Sequence, residues 1–109
     1  MATRQVRYAT IYVFPSTDKN ARVRVSAAPE ILSVSSGDII DWTVVDATGR
    51  AGKISIKWKE GTPLKEEPDA FGRAVRARVR RGVKKRTSYR YSILLDGVEV
   101  FDPEIEIMS

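Results

Sequence analysis

Hydrophobic and polar residues alternate with a period of two along most of the chain, the pattern of β-strands with one buried face. The clearest segment runs from Asp38 to Asp46, where Ile40, Trp42 and Val44 share one face. No window of useful length carries the 3.6-residue apolar stripe of a helix. The pattern therefore predicts an all-β fold of seven or eight strands.

Turn-forming residues separate these segments. Asp96-Gly97 is a strong signal for a two-residue hairpin turn. Residues 46–52 form a predicted loop, so the strands at 38–46 and 53–58 are expected to pair as a hairpin, with Trp42 and Trp58 both directed into the core. Many short strands at this spacing are typical of an antiparallel Greek-key β-sandwich.

Length and composition favour one folded unit. The chain has 109 residues, of which 42% are hydrophobic, and it contains no internal repeat or linker, so we expect a single β-sandwich domain over residues 1–109. No apolar run approaches the roughly 20 residues of a membrane helix. We therefore expect a soluble, cytoplasmic protein without a membrane partner, and removal of an export signal remains an alternative.

The residue types needed for most catalytic and metal chemistry are missing. The chain contains no His and no Cys, which excludes thiolate, imidazole and disulfide chemistry. Asp38, Asp41 and Asp46 are spaced for turns and opposite faces of one strand, so they do not converge as an acid and base pair would. The sequence predicts a protein that is not an enzyme and uses no cofactor or metal.

Two segments resemble the cupredoxins, the plastocyanin-like and azurin-like Greek-key sandwiches. Residues 28–42 contain a proline, a short strand, Gly37-Asp38 and a Trp four residues after the Asp, and Tyr89-Arg90-Tyr91 lies near the penultimate strand. Copper cupredoxins carry His and Cys ligands in loops that correspond to residues 46–52 and 92–97, and neither residue type occurs there. The resemblance implies the architecture without copper. An immunoglobulin-like sandwich is the alternative.

Positive charge is concentrated in one segment. Nine cations and no acid lie between Arg73 and Arg90, and removing them from the net charge of +5 leaves −4 for the rest of the chain. Alternation places arginines on one face of a strand, about 6.7 Å apart, a spacing that suits a phosphodiester backbone. The candidate polyanion-binding residues are Arg76, Arg78, Arg80, Lys84, Lys85 and Arg86.

These residues support the hypothesis of a binding module for nucleic acid or another polyanion, with Tyr89 or Tyr91 as a stacking surface. The alternative is a solvated face that acids partly neutralise, either the five acids after Arg90 or the acidic cluster at residues 66–69.

The first strand has apolar groups on both faces. Ala9, Ile11 and Val13 occupy one face, and the aromatic residues Tyr8, Tyr12 and Phe14 occupy the other. Such a strand is covered on both sides or presents an aromatic face to a partner. The second hypothesis is therefore a structural or self-assembling protein that uses this strand as its interface.

Overall fold

The computed structural model describes residues 5–17, 23–49, 52–68 and 72–108. Within them the alternating segments form nine strands and no helix. These strands are β1 Val6–Pro15, β2 Val23–Ala28, β3 Ile31–Val34, β4 Ile39–Asp46, β5 Ile54–Trp58, β6 Ala74–Arg78, β7 Ser88–Leu95, β8 Val98–Phe101 and β9 Glu104–Ile107. Nine strands exceed the seven or eight predicted.

The strands form two sheets around one core, which confirms the predicted all-β sandwich. The first sheet has the order β2-β1-β4-β6, and the second has the order β3-β9-β7-β5, with β8 also paired to β7. Both sheets are mixed, because β1 pairs with β4 in parallel and β3 pairs with β9 in parallel, while the other pairings are antiparallel.

The predicted hairpin of residues 38–46 and 53–58 is wrong. β4 pairs with β1 and β6, whereas β5 pairs with β7 in the opposite sheet. The chain between β4 and β5 therefore crosses from one sheet to the other. The Asp96-Gly97 turn is confirmed, since it joins β7 to β8 and both of its residues have positive φ.

The core forms where the inner faces of the two sheets meet. On β1 the face that carries Ala9, Ile11 and Val13 is the buried one. Trp42 on β4 and Trp58 on β5 come from opposite sheets and both contact Tyr91, with ring centroids 6.1 and 4.9 Å from the Tyr91 ring. Trp42 is fully buried and Trp58 is half-buried, so both pack in the core as predicted.

A buried carboxylate holds one end of the sandwich together. Asp38 is 3% exposed and accepts hydrogen bonds from the backbone amides of Gln5 and Ser35 and from the Arg7 side chain. Three polar contacts compensate the cost of burying its charge.

Within the described ranges, no helix is long and apolar enough to cross a membrane.

Candidate polyanion-binding surface

The basic segment occupies the outer edge of the first sheet and one end of the sandwich. β6 is the last strand of its sheet, and Arg76 and Arg78 project from its outer face while Ala77 is buried. The chain then turns through residues 81–86 before it enters β7 of the second sheet. The predicted alternation of inward and outward residues is therefore present, but the six candidate cations lie in three different environments.

Arg76 is paired with an acid of the neighbouring strand. Its Nε donates a 2.8 Å hydrogen bond to Oδ2 of Asp41, which lies directly opposite it in the β4 to β6 register. Asp41 is buried, but the Arg76 side chain is 63% exposed. The contact uses only Nε, so the terminal guanidinium nitrogens face solvent with no hydrogen bond to the described residues.

Arg80 is bound within the fold. Its guanidinium donates hydrogen bonds to the backbone carbonyl of Thr62 and to the Tyr89 hydroxyl, and it lies 5.9 Å from the centroid of the Tyr89 ring. Cation–π and hydrogen-bond contacts of this kind fix the side chain in place. The Arg80 guanidinium is therefore less available to bind a partner than the side chains of the neighbouring cations.

The remaining four candidates have no acid partner in the described part of the chain. Arg78, Lys84, Lys85 and Arg86 have no carboxylate oxygen within 4 Å among the described residues. The last three are exposed on the turn. Arg86 anchors this turn, because its backbone amide donates a 2.8 Å hydrogen bond to the Ile107 carbonyl of β9 and its φ is 58°.

C-terminal acids neutralise the basic segment at its Arg90 end. In the second sheet, Asp102 accepts from Arg90 at 2.7 Å and from Lys59 at 3.1 Å, and Lys59 also lies 3.2 Å from Glu99. The hydrogen bond from Lys59 lowers the pKa of Asp102, and bonds from Ser92 and then Lys59 lower the pKa of Glu99. The predicted neutralisation by C-terminal acids is therefore seen at Arg90.

Two acids of the cluster near β6, Glu66 and Glu67, form no ion pair with the described arginines of that strand. Glu66 and Glu67 line a shallow groove together with Arg76 and Arg78, yet neither carboxylate comes within 4 Å of either arginine. Glu66 and Glu67 lie beside β6 because the preceding residues 63–65 follow the end of that strand. The Lys65 backbone amide donates a hydrogen bond to the Arg78 backbone carbonyl there. Asp69 of the same cluster lies outside the described residues.

The aromatic residues of β1 lie on the same outer face as Arg76. Tyr8 is 64% exposed, Phe14 is 41% exposed, and Tyr12 stacks on Phe14 with ring centroids 5.7 Å apart. Tyr8, Asp41 and Arg76 are direct neighbours across β1, β4 and β6. The sequence hypotheses treated the aromatic strand and the basic strand separately, and the sheet order places them on one surface.

The two tyrosines considered as stacking surfaces are mostly unavailable. Tyr91 is buried between the tryptophans, and burial raises the pKa of Tyr91 to about 12. Tyr89 is half-buried beneath the Arg80 guanidinium.

One exposed cation near the aromatic residues, Arg24, was not among the predicted site residues. It lies on β2, directly opposite Phe14 of β1. The sequence near Arg24 does not indicate this neighbour, because the contact depends on the pairing of β2 with β1.

No protein-family model matches the chain, and no curated protein matches it in sequence. Among the described residues, no three His, Cys, Asp or Glu side chains form a group that could hold a metal ion. The resemblance to cupredoxins therefore stays a prediction, and function must be inferred from the surface itself.

Proposed function

We propose that this chain is a non-catalytic binding module that contacts an anionic partner through the basic segment at residues 73–90. The observation that supports it most is the unpaired state of Arg78, Lys84, Lys85 and Arg86 among the described residues. Lys84, Lys85 and Arg86 are exposed, and exposed cations close together in the chain create a positive potential that attracts polyanions, including nucleic acid. The architecture, proposed as a copper-free cupredoxin-like sandwich, serves as a rigid support.

Charge reversal on the exposed turn tests this proposal. Lys84→Glu/Lys85→Glu removes two unpaired cations and leaves the ion pair of Arg76 and the packing of Arg80 intact. Arg86 is best left unchanged, because its positive φ makes any substitution there a change in backbone strain as well. We expect the double variant to lose affinity for a labelled polyanion at 50 mM salt by about tenfold or more.

A matched control uses two exposed lysines elsewhere. Lys53→Glu/Lys57→Glu changes the net charge by the same amount but lies on and beside β5, in the second sheet. Equal losses of affinity in the two double variants would show that only net charge matters, and this result would contradict a defined surface. Retained affinity in the control, with loss in the turn variant, is the expected outcome.

A second candidate function is self-assembly through the aromatic face of β1. It is favoured by the exposure of Tyr8 and Phe14. Assembly through strand pairing is not available to β1, since both of its edges are already paired with β2 and β4. Contact would therefore have to be face to face. Light scattering that gives a monomer mass at high protein concentration would exclude this alternative.

A further inference from the structure

We propose that the outer face of the first sheet binds single-stranded nucleic acid, with bases stacked on the rings of β1 and phosphates bound by arginines beside them. This inference rests on the proposed function and names its partner. The rings are those of Tyr8, Tyr12 and Phe14, and the arginines are Arg24 and Arg76. These five residues lie on one surface of the first sheet.

The rings lie in the open centre of a sheet. β1 is an internal strand, and the residues opposite Tyr12 on either side are Ser26 and Val45, which are too small to cover a ring. The Tyr12 and Phe14 rings are nearly parallel, with an angle of 9° between their planes. Exposed rings on a β-sheet, here those of Tyr8 and Phe14, are the surface on which proteins stack unpaired bases.

Cations lie on both sides of the row of rings. Arg24 is the direct neighbour of Phe14 on β2, and Arg76 lies two strands from Tyr8, about 10 Å away at roughly 4.8 Å per strand. The bond from Nε of Arg76 to Asp41 holds the guanidinium at the sheet surface, while its terminal nitrogens remain open to solvent. A guanidinium presented in this way suits the oxygens of a phosphate.

The combination of rings and cations favours one class of partner. Duplex nucleic acid stacks its bases on one another and offers few base faces, and a sulfated polysaccharide has none. A second copy of this chain would bring together two surfaces that both carry Arg24, Arg76 and Arg78, and like charges at an interface are unfavourable. A single strand supplies both the base faces and the phosphates.

The test compares three probes by fluorescence anisotropy at 50 mM salt: a 15-nucleotide oligothymidylate, a 15-base-pair duplex and heparin. The variant Tyr8→Leu/Phe14→Leu keeps apolar side chains but removes the π-faces, and Phe14→Tyr serves as the control that keeps the ring. Loss of one stacked ring weakens binding by about five- to 150-fold. We expect at least a tenfold loss for oligothymidylate with the leucine variant, no loss with Phe14→Tyr and no change for heparin.

The outcomes separate this inference from the proposed function. The stacking inference is overturned if wild type and leucine variant bind oligothymidylate equally, or if wild type binds the duplex more tightly than oligothymidylate. Either result still supports a polyanion-binding site. Failure to bind any of the three probes overturns both. A dimer that the leucine variant abolishes, without oligothymidylate binding, also overturns the inference. Matching urea unfolding midpoints for all variants show that the comparison is between folded proteins.

Discussion

Ionisation of the Tyr91 hydroxyl should destabilise the fold at alkaline pH. Tyr91 is 1% exposed, and its hydroxyl accepts a 3.1 Å hydrogen bond from Nε1 of Trp42. Burial raises the pKa of Tyr91 from 10.0 to about 12, and the bond from Trp42 opposes this rise only in part. Because the folded pKa exceeds the unfolded value, the stabilisation is complete below pH 10 and is lost as the pH rises toward 12.

The size of the effect follows from the two pKa values. A difference of two units corresponds to about 3 kcal/mol, at about 1.4 kcal/mol per unit. About half of that contribution is gone at pH 11. A domain of this size has a free energy of unfolding of about 5–15 kcal/mol, so the loss is large enough to measure.

Urea unfolding of wild type and Tyr91→Phe at pH 8 and pH 11 measures this contribution. At pH 8 the variant should be less stable by about 1–3 kcal/mol, because the buried Trp42 indole loses its acceptor. Between pH 8 and pH 11 the wild type should lose about 1–2 kcal/mol more than the variant. Lys59, whose pKa is raised by the hydrogen bond to Asp102, is present in both proteins, so its contribution cancels.

Two results would refute this reasoning. Parallel losses of stability with pH in wild type and variant would mean that the Tyr91 hydroxyl does not titrate abnormally in the folded protein. A Tyr91→Phe protein as stable as wild type at pH 8 would mean that the bond between Trp42 and Tyr91 contributes nothing to the core.

Three further predictions concern the fold and its surface charges. Asp38→Ala should lower the free energy of unfolding by about 2–3 kcal/mol, since it removes a buried acceptor from part-buried donors, and Asp38→Asn should cost less; urea unfolding of both measures this. Gly97→Ala should cost about 1–2 kcal/mol because its φ is 84°, whereas Gly82→Ala, with ordinary φ and open space, should change the unfolding midpoint little. Lys59→Gln should raise the pKa of Asp102 in an NMR titration of the carboxyl group, and an unchanged value would show that Arg90 alone accounts for the shift.

Local pattern was sufficient to predict the strands and the direction of their side chains. Period-two alternation placed Ile40, Trp42 and Val44 on one face, and in the structure Ile40 and Trp42 are fully buried while Val44 packs against the core. Asp96-Gly97 was predicted as a turn from the preference of that pair for positive φ, which both residues adopt. These features depend on residues near one another in sequence.

Strand pairing was not predictable in the same way. The parallel pairing of β1 with β4 joins residues about 30 positions apart, and no turn residue signals it. The loop after Asp46 has the composition of a hairpin turn but carries the chain to the other sheet. A pattern of inward and outward residues shows which face is buried, but it does not show which strand lies beside it.

The candidate site was only partly predictable, because its contacts also depend on which strands and segments lie side by side. The outward direction of Arg76, Arg78 and Arg80 follows from alternation, whereas the partners of two of them come from distant segments. Asp41 lies 35 residues before Arg76, and Thr62 lies 18 residues before Arg80. The neighbourhood of Tyr8 and Arg76 likewise depends on the order of three strands.

The salt dependence of polyanion binding shows whether cations of the turn contact phosphates. The apparent affinity for oligothymidylate, measured from 20 to 300 mM salt, should fall linearly on a double logarithmic scale, with a slope of about −3 if four cations contact phosphates. Lys84→Glu/Lys85→Glu should reduce this slope by about 1.4, and Lys53→Glu/Lys57→Glu should leave it unchanged. No binding at 20 mM salt, or the same slope in all three proteins, would contradict the account.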